Sequence, residues 1–387
     1  MRFVNRTLKD LTLIALSTVL VTFLVWLPHI LSLSNFWSLS FTNGFSTIYK
    51  NYDGTEYITI AKSFYNPSLI SSLSQNLPPS YFASHFPGYS LLIYLFAPIL
   101  GFLKSMLFSS LLSTILSAWM FYFLVRDFKF TTKPLFLSLL FLILPARWLI
   151  VHSVGSSEPT FIFLILATLY FFIKFEQNLK FSNILLASLF GAAAQLTRPP
   201  AILLFLTLCL YLLWKIAYKR LSFFKAFTLY LPLILIPLSL VALFYWFSIS
   251  YNDFFAYFHS GDNIHLTFPP FQVFNKNQFW VGDIWLEDVV IIFILGYLAG
   301  VLLWKKQLYA FSFFVLTYFT ASAFVAHRDI SRYVLPTFPF ILIAFEKMLN
   351  SKEFKIILPI ILLAIYLYAQ NFILSNIAPI ADWRGFN

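Results

Sequence analysis

Long apolar runs that hold almost no charged residue constrain this chain more than any other feature. The first run extends from Leu11 to Tyr49 without a single Asp, Glu, Lys or Arg. Over all 387 residues 60% are hydrophobic and 11% are charged, whereas soluble globular proteins carry about 25% charged residues. Runs of about 20 apolar residues are long enough to cross a bilayer as helices, and a membrane barrel would show short alternating segments instead. We therefore predict an all-α polytopic membrane protein.

The apolar runs predict about eleven transmembrane helices. No internal repeat, low-complexity tract or soluble domain is evident, so we expect residues 1–387 to form a single membrane-embedded domain. The predicted spans are 11–34, 105–125, 134–151, 158–174, 182–197, 199–214, 226–249, 289–304, 308–326, 333–346 and 356–374.

The positions of the basic residues predict how these spans are oriented, because Lys and Arg collect on the cytoplasmic side of membrane proteins. If the apolar segment 87–103 crossed the membrane, the basic cluster at 126–133 would lie on the same side as the loop before that segment. If the segment lies along the outer interface instead, 17 of the 26 Lys and Arg residues fall inside. We therefore predict an inner N-terminus, an outer C-terminus and extracytoplasmic loops at 35–86 and 250–288.

The first apolar run follows three basic residues, Arg2, Arg6 and Lys9, as the core of a signal peptide does. It is too long for such a core and lacks a small-residue cleavage site, so we expect an uncleaved first span. The net charge of +11 then indicates orientation and not a nucleic-acid partner. Richness in Lys, Asn, Ile and Phe is typical of AT-rich microbial genomes, and we expect a prokaryotic plasma membrane as the location.

The first carboxylates after the charge-free run, Asp53 and Glu56, arrive together. Residues three apart lie on one helix face or on the two sides of one turn, so these side chains can reach one ligand. We take the pair as candidate catalytic residues in the first outer loop. The alternative is an acidic pair that is merely solvated beside a membrane helix.

Other unusual polar residues fall at the predicted outer ends of spans. A charged side chain at the bilayer centre costs about 2.5–3.5 kcal/mol on insertion scales, so such groups should lie at the interface or face a wet cavity. Arg198 stands alone between two apolar runs, and Glu158 opens a span after two serines. The alternatives are lipid-headgroup contact for Arg198 and a favourable helix-dipole interaction for Glu158.

Two arginines near the end of the chain, Arg328 and Arg332, are four residues apart, with Tyr333 next to the second. This spacing would place both guanidinium groups on one helix face. Such a pair suits a phosphate, because each guanidinium offers a planar fork of donors. The alternative is an ion pair with Asp329 together with outer-leaflet headgroup contact.

Histidines on the predicted outer side raise the question of a metal site. They are His85, His152, His259, His265 and His327. No HExxH motif or tight group of His and Asp ligands is present, so the sequence gives little indication of a metal site. We assign no metal ligand and leave open whether a divalent metal is used. No Walker loop or GxGxxG motif supports nucleotide recognition. The single cysteine excludes an intramolecular disulfide.

Several segments of the predicted outer face together carry a family pattern. They are Asp53-Gly54 with Tyr57 to Ala61, His85 to Leu92, Ser157 to Phe161, Leu196 to Pro199, Phe255 to Phe271, and Ser331 to Pro336. In order and spacing they resemble the GT-C superfamily of integral-membrane glycosyltransferases, most nearly its PIG-V-like mannosyltransferase branch, over roughly residues 10–350. The chain departs from that pattern at Tyr52, where Trp is usual, and at 259–263, where the family often has Gln followed by Trp and Arg.

This resemblance implies a first outer loop with juxtamembrane helices, including 87–103, and a site on the extracytoplasmic face. It implies transfer of a sugar, mannose or another hexose, from a polyprenyl-phosphate donor to a lipid, glycan or protein acceptor. In that inverting reaction the acceptor hydroxyl attacks the anomeric carbon while polyprenyl phosphate leaves. A carboxylate that takes the hydroxyl proton contributes about 10²–10⁴-fold to the rate, and positive charge must meet the leaving phosphate.

The roles that follow are general base for Asp53, contact with the leaving phosphate for Arg332, and orientation of hydroxyl groups for Glu56. The assigned residues are the catalytic Asp53 and Glu56 and the substrate-binding His85, Glu158, Arg198, Arg328, Arg332 and Tyr333. The alternative of a transporter or flippase for a lipid-linked glycan predicts charged or broken positions within spans, whereas here the polar residues cluster at one predicted face. A third interpretation is a noncatalytic subunit of a glycosylation complex, which would keep the fold but lose the general base. The presence of Asp53 argues against it.

Overall fold

The computed structural model describes residues 2–73, 77–264, 266–281, 286–378, 380, 383 and 385–386. Over these residues the chain consists of helices and connecting loops without a β-strand. Extended pairing is confined there to isolated bridges, such as the one between Leu266 and Val325. The prediction of an all-α membrane fold is confirmed.

Seven helical segments in the described ranges are long and apolar enough to cross a membrane. Each of them coincides with a span predicted from the sequence. They are Arg6–Ile30, Phe102–Asp127, Glu158–Asn178, Pro199–Ala217, Phe223–Tyr251, Glu287–Lys305 and Lys352–Ser375. The first belongs to a helix that begins at Arg2, and the fifth joins Phe223–Tyr230 to Leu235–Tyr251 through a short 3-10 turn.

Three shorter apolar helices, Phe181–Gln195, Tyr309–Ser322 and Leu335–Ala344, also coincide with predicted spans. Ten of the eleven predicted spans therefore coincide with one helical segment each. How many of these helices cross the bilayer, and in which direction, stays a prediction.

The span predicted at 134–151 is wrong as one continuous helix. It is a pair of helices, Pro134–Phe141 and Ala146–His152, that meet at a bend of 72°. Pro145 interrupts the helix because it has no backbone N–H and disfavours helical geometry in the residue before it. His152 compensates for part of the break, since its Nε2 donates to the carbonyl oxygen of Leu142 over 2.9 Å.

The ambiguous segment 87–103 forms the helix Pro87–Leu100, which we call the interfacial helix. It ends at Gly101, whose φ of +75° is readily adopted by glycine alone, and the chain turns there directly into Phe102–Asp127. The two helices pack against each other. The two helices are therefore separate elements, and the placement of the first along the membrane interface stays a prediction.

The first predicted outer loop contains several short helices, as expected for a GT-C-like loop. They are Ser46–Tyr49, Gly54–Ser63, Pro67–Ser72 and the 3-10 helix Pro79–Ser84. The second predicted loop has the shorter elements Ala256–His259 and Gln272–Phe274. Near the C-terminus, Ile330–Tyr333 and Glu346–Leu349 flank the helix 335–344. His265 lies outside the described residues.

Hydrogen bonds between two long helices fix the position of Glu158. Ser113 Oγ lies 2.8 Å from Thr160 Oγ1, and Ser117 Oγ donates to the carbonyl oxygen of Pro159 over 2.9 Å. These contacts join Phe102–Asp127 to the first turn of Glu158–Asn178. The first turn cannot slide along its neighbour without breaking them, and Glu158 is held at the level of the first outer loop.

A close backbone approach fixes the position of Arg198. The N–H of Gly88, at the start of the interfacial helix, donates to the carbonyl oxygen of Leu196 over 2.7 Å. A Cβ atom on Gly88 would lie 2.2 Å from Thr197 Oγ1, so no larger residue fits there without displacing the hairpin. The first loop and the hairpin that carries Arg198 therefore dock directly on each other.

Candidate active site

A polar cavity of about 590 Å³ lies where the first loop, the second loop and the ends of several helices meet. We call it the polar cavity. Seven of the eight residues assigned from the sequence line its wall, namely Asp53, Glu56, His85, Arg198, Arg328, Arg332 and Tyr333. The eighth, Glu158, is buried beneath the wall and contacts two of these arginines. The fold thus brings Arg332 into contact with Asp53, which lies 279 positions away in the sequence.

Two carboxylates and two guanidinium groups form a connected network at the base of the polar cavity. Arg332 Nη2 lies 2.9 Å from Asp53 Oδ2, and Arg332 Nε donates to Glu158 Oε1. Arg198 Nη1 lies 2.8 Å from the same Glu158 oxygen. Only 2% of the Glu158 side chain is exposed. Because an isolated buried charge is costly, the two arginines are what makes an ionised Glu158 tolerable in this position.

Asp53 stands at the first turn of the helix Gly54–Ser63, with 34% of its side chain exposed to the polar cavity. Desolvation alone would raise its pKa, but the charge of Arg332, together with that of His85, lowers the pKa to about 2. His85 Nε2 lies 3.9 Å from Asp53 Oδ2. Asp53 is therefore ionised at any physiological pH, and both contacts use the same oxygen, Oδ2.

Glu56 lies one helical turn further along, on the same wall of the polar cavity. Desolvation and the negative charge of Asp53 raise the pKa of Glu56 to about 7. Thr55 Oγ1 donates to Glu56 Oε2 over 3.1 Å. The two carboxyl groups therefore share one site and differ in protonation, an arrangement typical of acid and base roles at functional sites.

His85 faces the same carboxylates from the end of the 3-10 helix Pro79–Ser84. Burial lowers its pKa, against the opposing effect of Asp53. Ser84 Oγ lies 2.8 Å from His85 Nδ1, so the serine fixes the orientation of the ring. Among the described residues no group of three His, Cys, Asp or Glu side chains is placed to hold a metal ion.

The expected helical pairing of Arg328 and Arg332 is wrong. The helix begins only at Ile330, so Arg328 lies in the turn before it, exposed, with Cζ 5.7 Å from the ring centroid of Phe279. The alternative ion pair between Arg328 and Asp329 is also absent from the described contacts, because Asp329 pairs with Arg147. Both guanidinium groups nevertheless line the polar cavity.

Four further residues of this region had no role assigned from the sequence: Tyr52, Arg147, Asp262 and Asp329. Tyr52 adopts a left-handed φ of +50°, and the guanidinium of Arg332 stacks on its ring with Cζ 4.2 Å from the centroid. Arg147 follows an apolar run as a solitary charge, which is the signal that singled out Arg198. Asp262 and Asp329 follow no pattern that separates them from other loop carboxylates.

The wall of the polar cavity carries both signs of charge, and Asp53 and Arg332 are in direct contact there. Asp53, Glu56 and Asp262 supply carboxylates, whereas Arg198, Arg328 and Arg332 supply guanidinium groups. Such a wall can hold the hydroxyl groups of a sugar or acceptor beside the carboxylates and an anionic group beside the arginines.

A second, apolar cavity of about 420 Å³ adjoins the polar cavity, and we call it the apolar groove. Its lining includes Leu203, Leu240, Phe244, Tyr318 and Val325. The two spaces share part of their walls, formed by Pro199, Tyr257, Asn263, Ile264 and Tyr333. A polar space thus adjoins an apolar one.

Comparison with known proteins agrees with this architecture. Residues 84–246 match the family model described as dolichyl-phosphate-mannose-protein mannosyltransferase. The crystal structure of ArnT from Cupriavidus metallidurans bound to undecaprenyl phosphate superposes with a TM-score of 0.55 at 15% sequence identity. Both belong to the GT-C group. This chain has a GT-C fold.

The GT-C match covers 84% of this chain and 58% of the ArnT chain, so the protein spans little more than half the length of that relative. A search of curated protein sequences gives no match. Neither finding singles out the PIG-V-like branch, which stays a prediction.

Proposed function

We propose that this GT-C protein is a glycosyltransferase that moves a sugar from a polyprenyl-phosphate donor to an acceptor hydroxyl. The observation that carries the proposal is the juxtaposition, in one cavity, of ionised and protonatable carboxylates, arginines and an adjoining apolar groove. The matching family and the undecaprenyl phosphate bound to ArnT support the same donor class. We propose the extracytoplasmic side as the place of reaction, from the distribution of basic residues, and a prokaryotic plasma membrane, from the composition.

The donor is oriented by the two adjoining spaces. Its prenyl chain lies in the apolar groove, where burial of apolar surface stabilises it. Its phosphate lies against Arg328, Arg332 and Arg198, whose guanidinium groups suit phosphate oxygens. Its sugar then points toward Asp53 and Glu56, with the anomeric carbon beside the Asp53–Arg332 pair.

The transfer is a single displacement at the anomeric carbon. The acceptor hydroxyl oxygen forms the new glycosidic bond while the bond between the anomeric carbon and the phosphate oxygen breaks. Polyprenyl phosphate leaves with the electron pair, and the arginines stabilise its developing negative charge. Asp53 takes the hydroxyl proton through its oxygen Oδ1, late in the step, when bond formation has made the hydroxyl acidic. The configuration at the anomeric carbon is inverted, and mannose or another hexose is the expected sugar.

A transfer assay tests this function. Purified protein is supplied with radiolabelled polyprenyl-phosphate sugars and with lipid, glycan or peptide acceptors from a membrane extract. The expected result is label in an acceptor and an equal amount of free polyprenyl phosphate, both lost in Asp53→Asn. If no sugar is transferred and reconstituted vesicles instead translocate the labelled lipid, the protein is a transporter.

A variant of the apolar groove tests the donor's orientation. Leu203→Trp fills the groove and should raise KM several-fold for a long-chain donor while leaving a short-chain donor unaffected. Leu206 lies on the same helix, is 46% exposed and does not line the groove, so Leu206→Trp is the matched control. Equal KM values for both variants with the long-chain donor would place the prenyl chain elsewhere.

A further inference from the structure

We infer that Arg147 is a positioning residue for the proposed transfer, because its ion pair with Asp329 holds Arg332 against Asp53. The inference rests on the proposed function and goes beyond the residues that touch the substrate. It concerns a contact between the bent helix pair and the loop before Ile330–Tyr333.

Arg147 is buried, with 6% of its side chain exposed, and its guanidinium pairs with Asp329 through Nη2. Its Cζ lies 4.0 Å from the ring centroid of Phe372 and 6.0 Å from that of Tyr52. Within the described residues Nε and Nη1 have no hydrogen-bond partner. A buried cation with one ionic partner is a poor source of stability. What the pair does supply is a fixed geometry.

Asp329 transmits that geometry to Arg332 through the backbone. Its carbonyl oxygen accepts from the N–H of Arg332 over 2.9 Å and from that of Tyr333 over 3.1 Å. Its own N–H donates to His327 Nδ1 over 3.0 Å. The side chain of Asp329 is thus tied to Arg147 while its main chain forms the start of the helix that carries Arg332. A shift of Asp329 must move Arg332.

Tyr52 provides a second connection between the two arginines. Its ring contacts the guanidinium of Arg332 at 4.2 Å and that of Arg147 at 6.0 Å. Tyr52 immediately precedes Asp53 in the chain. Arg147 therefore contacts both a residue that holds Arg332 and a residue that holds Asp53, and it joins the two sides of the Asp53–Arg332 pair.

Arginine is required at this position for two reasons. Its planar group stacks on Phe372 while one nitrogen reaches Asp329. A lysine keeps the charge but has neither the plane nor the fixed fork of donors. Misplacement of a catalytic group by about 1 Å can cost about 10²-fold in rate, so the loss should appear in kcat and less in the KM for the donor.

A double-mutant cycle with Arg147→Gln and Asp329→Asn tests the inference on purified full-length protein. Each single variant should lower kcat by about 10- to 100-fold, with KM for the donor within about twofold. The double variant should lose no more than either single variant, because both remove one interaction. Arg147→Lys should also lose kcat, and the reciprocal pair Arg147→Asp with Asp329→Arg should recover part of it.

The matched control is a second arginine–aspartate pair away from the polar cavity. Arg126 Nη2 lies 2.6 Å from Asp127 Oδ1, and Arg126→Gln should leave kcat unchanged. Thermal melting separates misfolding from misplacement, and Arg147→Lys keeps the test usable if Arg147→Gln does not fold. The inference would be overturned if the losses in the cycle were additive, or if the Arg147 variants kept the kcat of the wild type. In either case, transfer by the wild-type protein would still support the proposed function. Absence of transfer by the wild type would instead overturn the proposed function and, with it, this inference.

Discussion

Arg332 Nη2 lies 2.9 Å from Asp53 Oδ2. The residue proposed to bind the phosphate is therefore in direct contact with the proposed general base. The contact has an electrostatic consequence, because the arginine lowers the pKa of Asp53 and keeps it ionised. The contact also has a geometric consequence, because the substrate must fit around the Asp53–Arg332 pair.

Asp53→Asn should lower transfer by about 10²-fold or more, since the amide keeps the size of the carboxylate but cannot take a proton. Glu56→Gln should lose less, because Glu56 is assigned to orientation. Turnover is measured on purified variants with matched expression and matched donor binding, which excludes a folding defect. Retention of more than a third of wild-type turnover by Asp53→Asn would make Glu56 or Glu158 the leading base.

Arg332→Lys should reduce both donor affinity and turnover, whereas Arg328→Lys should be milder. Arg332 reaches Glu158 through Nε and Asp53 through Nη2, and a lysine ammonium cannot reproduce this fork. Arg328 is exposed and stacks near Phe279, so a flexible cation can replace much of its effect. Steady-state kinetics on both variants provide the measurement. Near-wild-type values for the two would remove these arginines from the mechanism.

The pH dependence of stability should report on Glu56. Its pKa in the folded protein is raised from 4.5 to about 7, so the unfolded chain releases this proton at lower pH than the folded chain does. The stabilising contribution is therefore present below pH 4.5 and is lost as the pH rises to about 7. Asp53 does not interfere, because its pKa of about 2 lies below this window.

Glu56→Gln should accordingly show a smaller fall in melting temperature between pH 4.5 and 7 than the wild type does. Melting in detergent, followed by tryptophan fluorescence, measures the two curves. Glu353→Gln, at an exposed position far along the chain, serves as the control and should follow the wild type. Parallel curves for wild type and Glu56→Gln would refute the assignment.

Single cysteines should report the predicted orientation in a Cys209→Ser background. Three exposed positions are suitable. Ser72 lies in the first predicted outer loop and Asn277 in the second, whereas Lys129 lies in the basic cluster that is predicted to be inside. An impermeant maleimide should label cysteines at Ser72 and Asn277 in intact cells, and at Lys129 only after lysis. Labelling at Lys129 in intact cells is incompatible with the proposed topology.

The location of the site was predictable from the sequence because a membrane restricts where charge can lie. Arg198 and Glu158 stand out against apolar neighbours, and such residues must meet at a wet interface or cavity. That restriction, together with the order and spacing of the family-like segments, predicted that the eight assigned residues lie on one face, without any knowledge of helix packing. Helix positions followed from the same property, because apolar length largely determines them.

The pairing of charges was not predictable, because it depends on which helices are neighbours. Asp329 pairs with Arg147, 182 positions away, and not with the adjacent Arg328. The prediction that Arg328 and Arg332 share one helix face is wrong for a local reason, since the helix begins only after Asp329. The break in the helix at Pro145 depends on backbone geometry, which the length of the apolar run does not reveal.

The arginines of the polar cavity have a consequence for turnover. A polyprenyl-phosphate sugar is a phosphodiester with one negative charge, whereas the released polyprenyl phosphate is a monoester that carries about −1.5 to −2 at neutral pH. In the proposed transfer, Arg198, Arg328 and Arg332 should therefore attract the spent carrier more strongly than the loaded one. Polyprenyl phosphate should then compete with the donor as a product inhibitor, and each cycle ends only when the carrier departs into the bilayer.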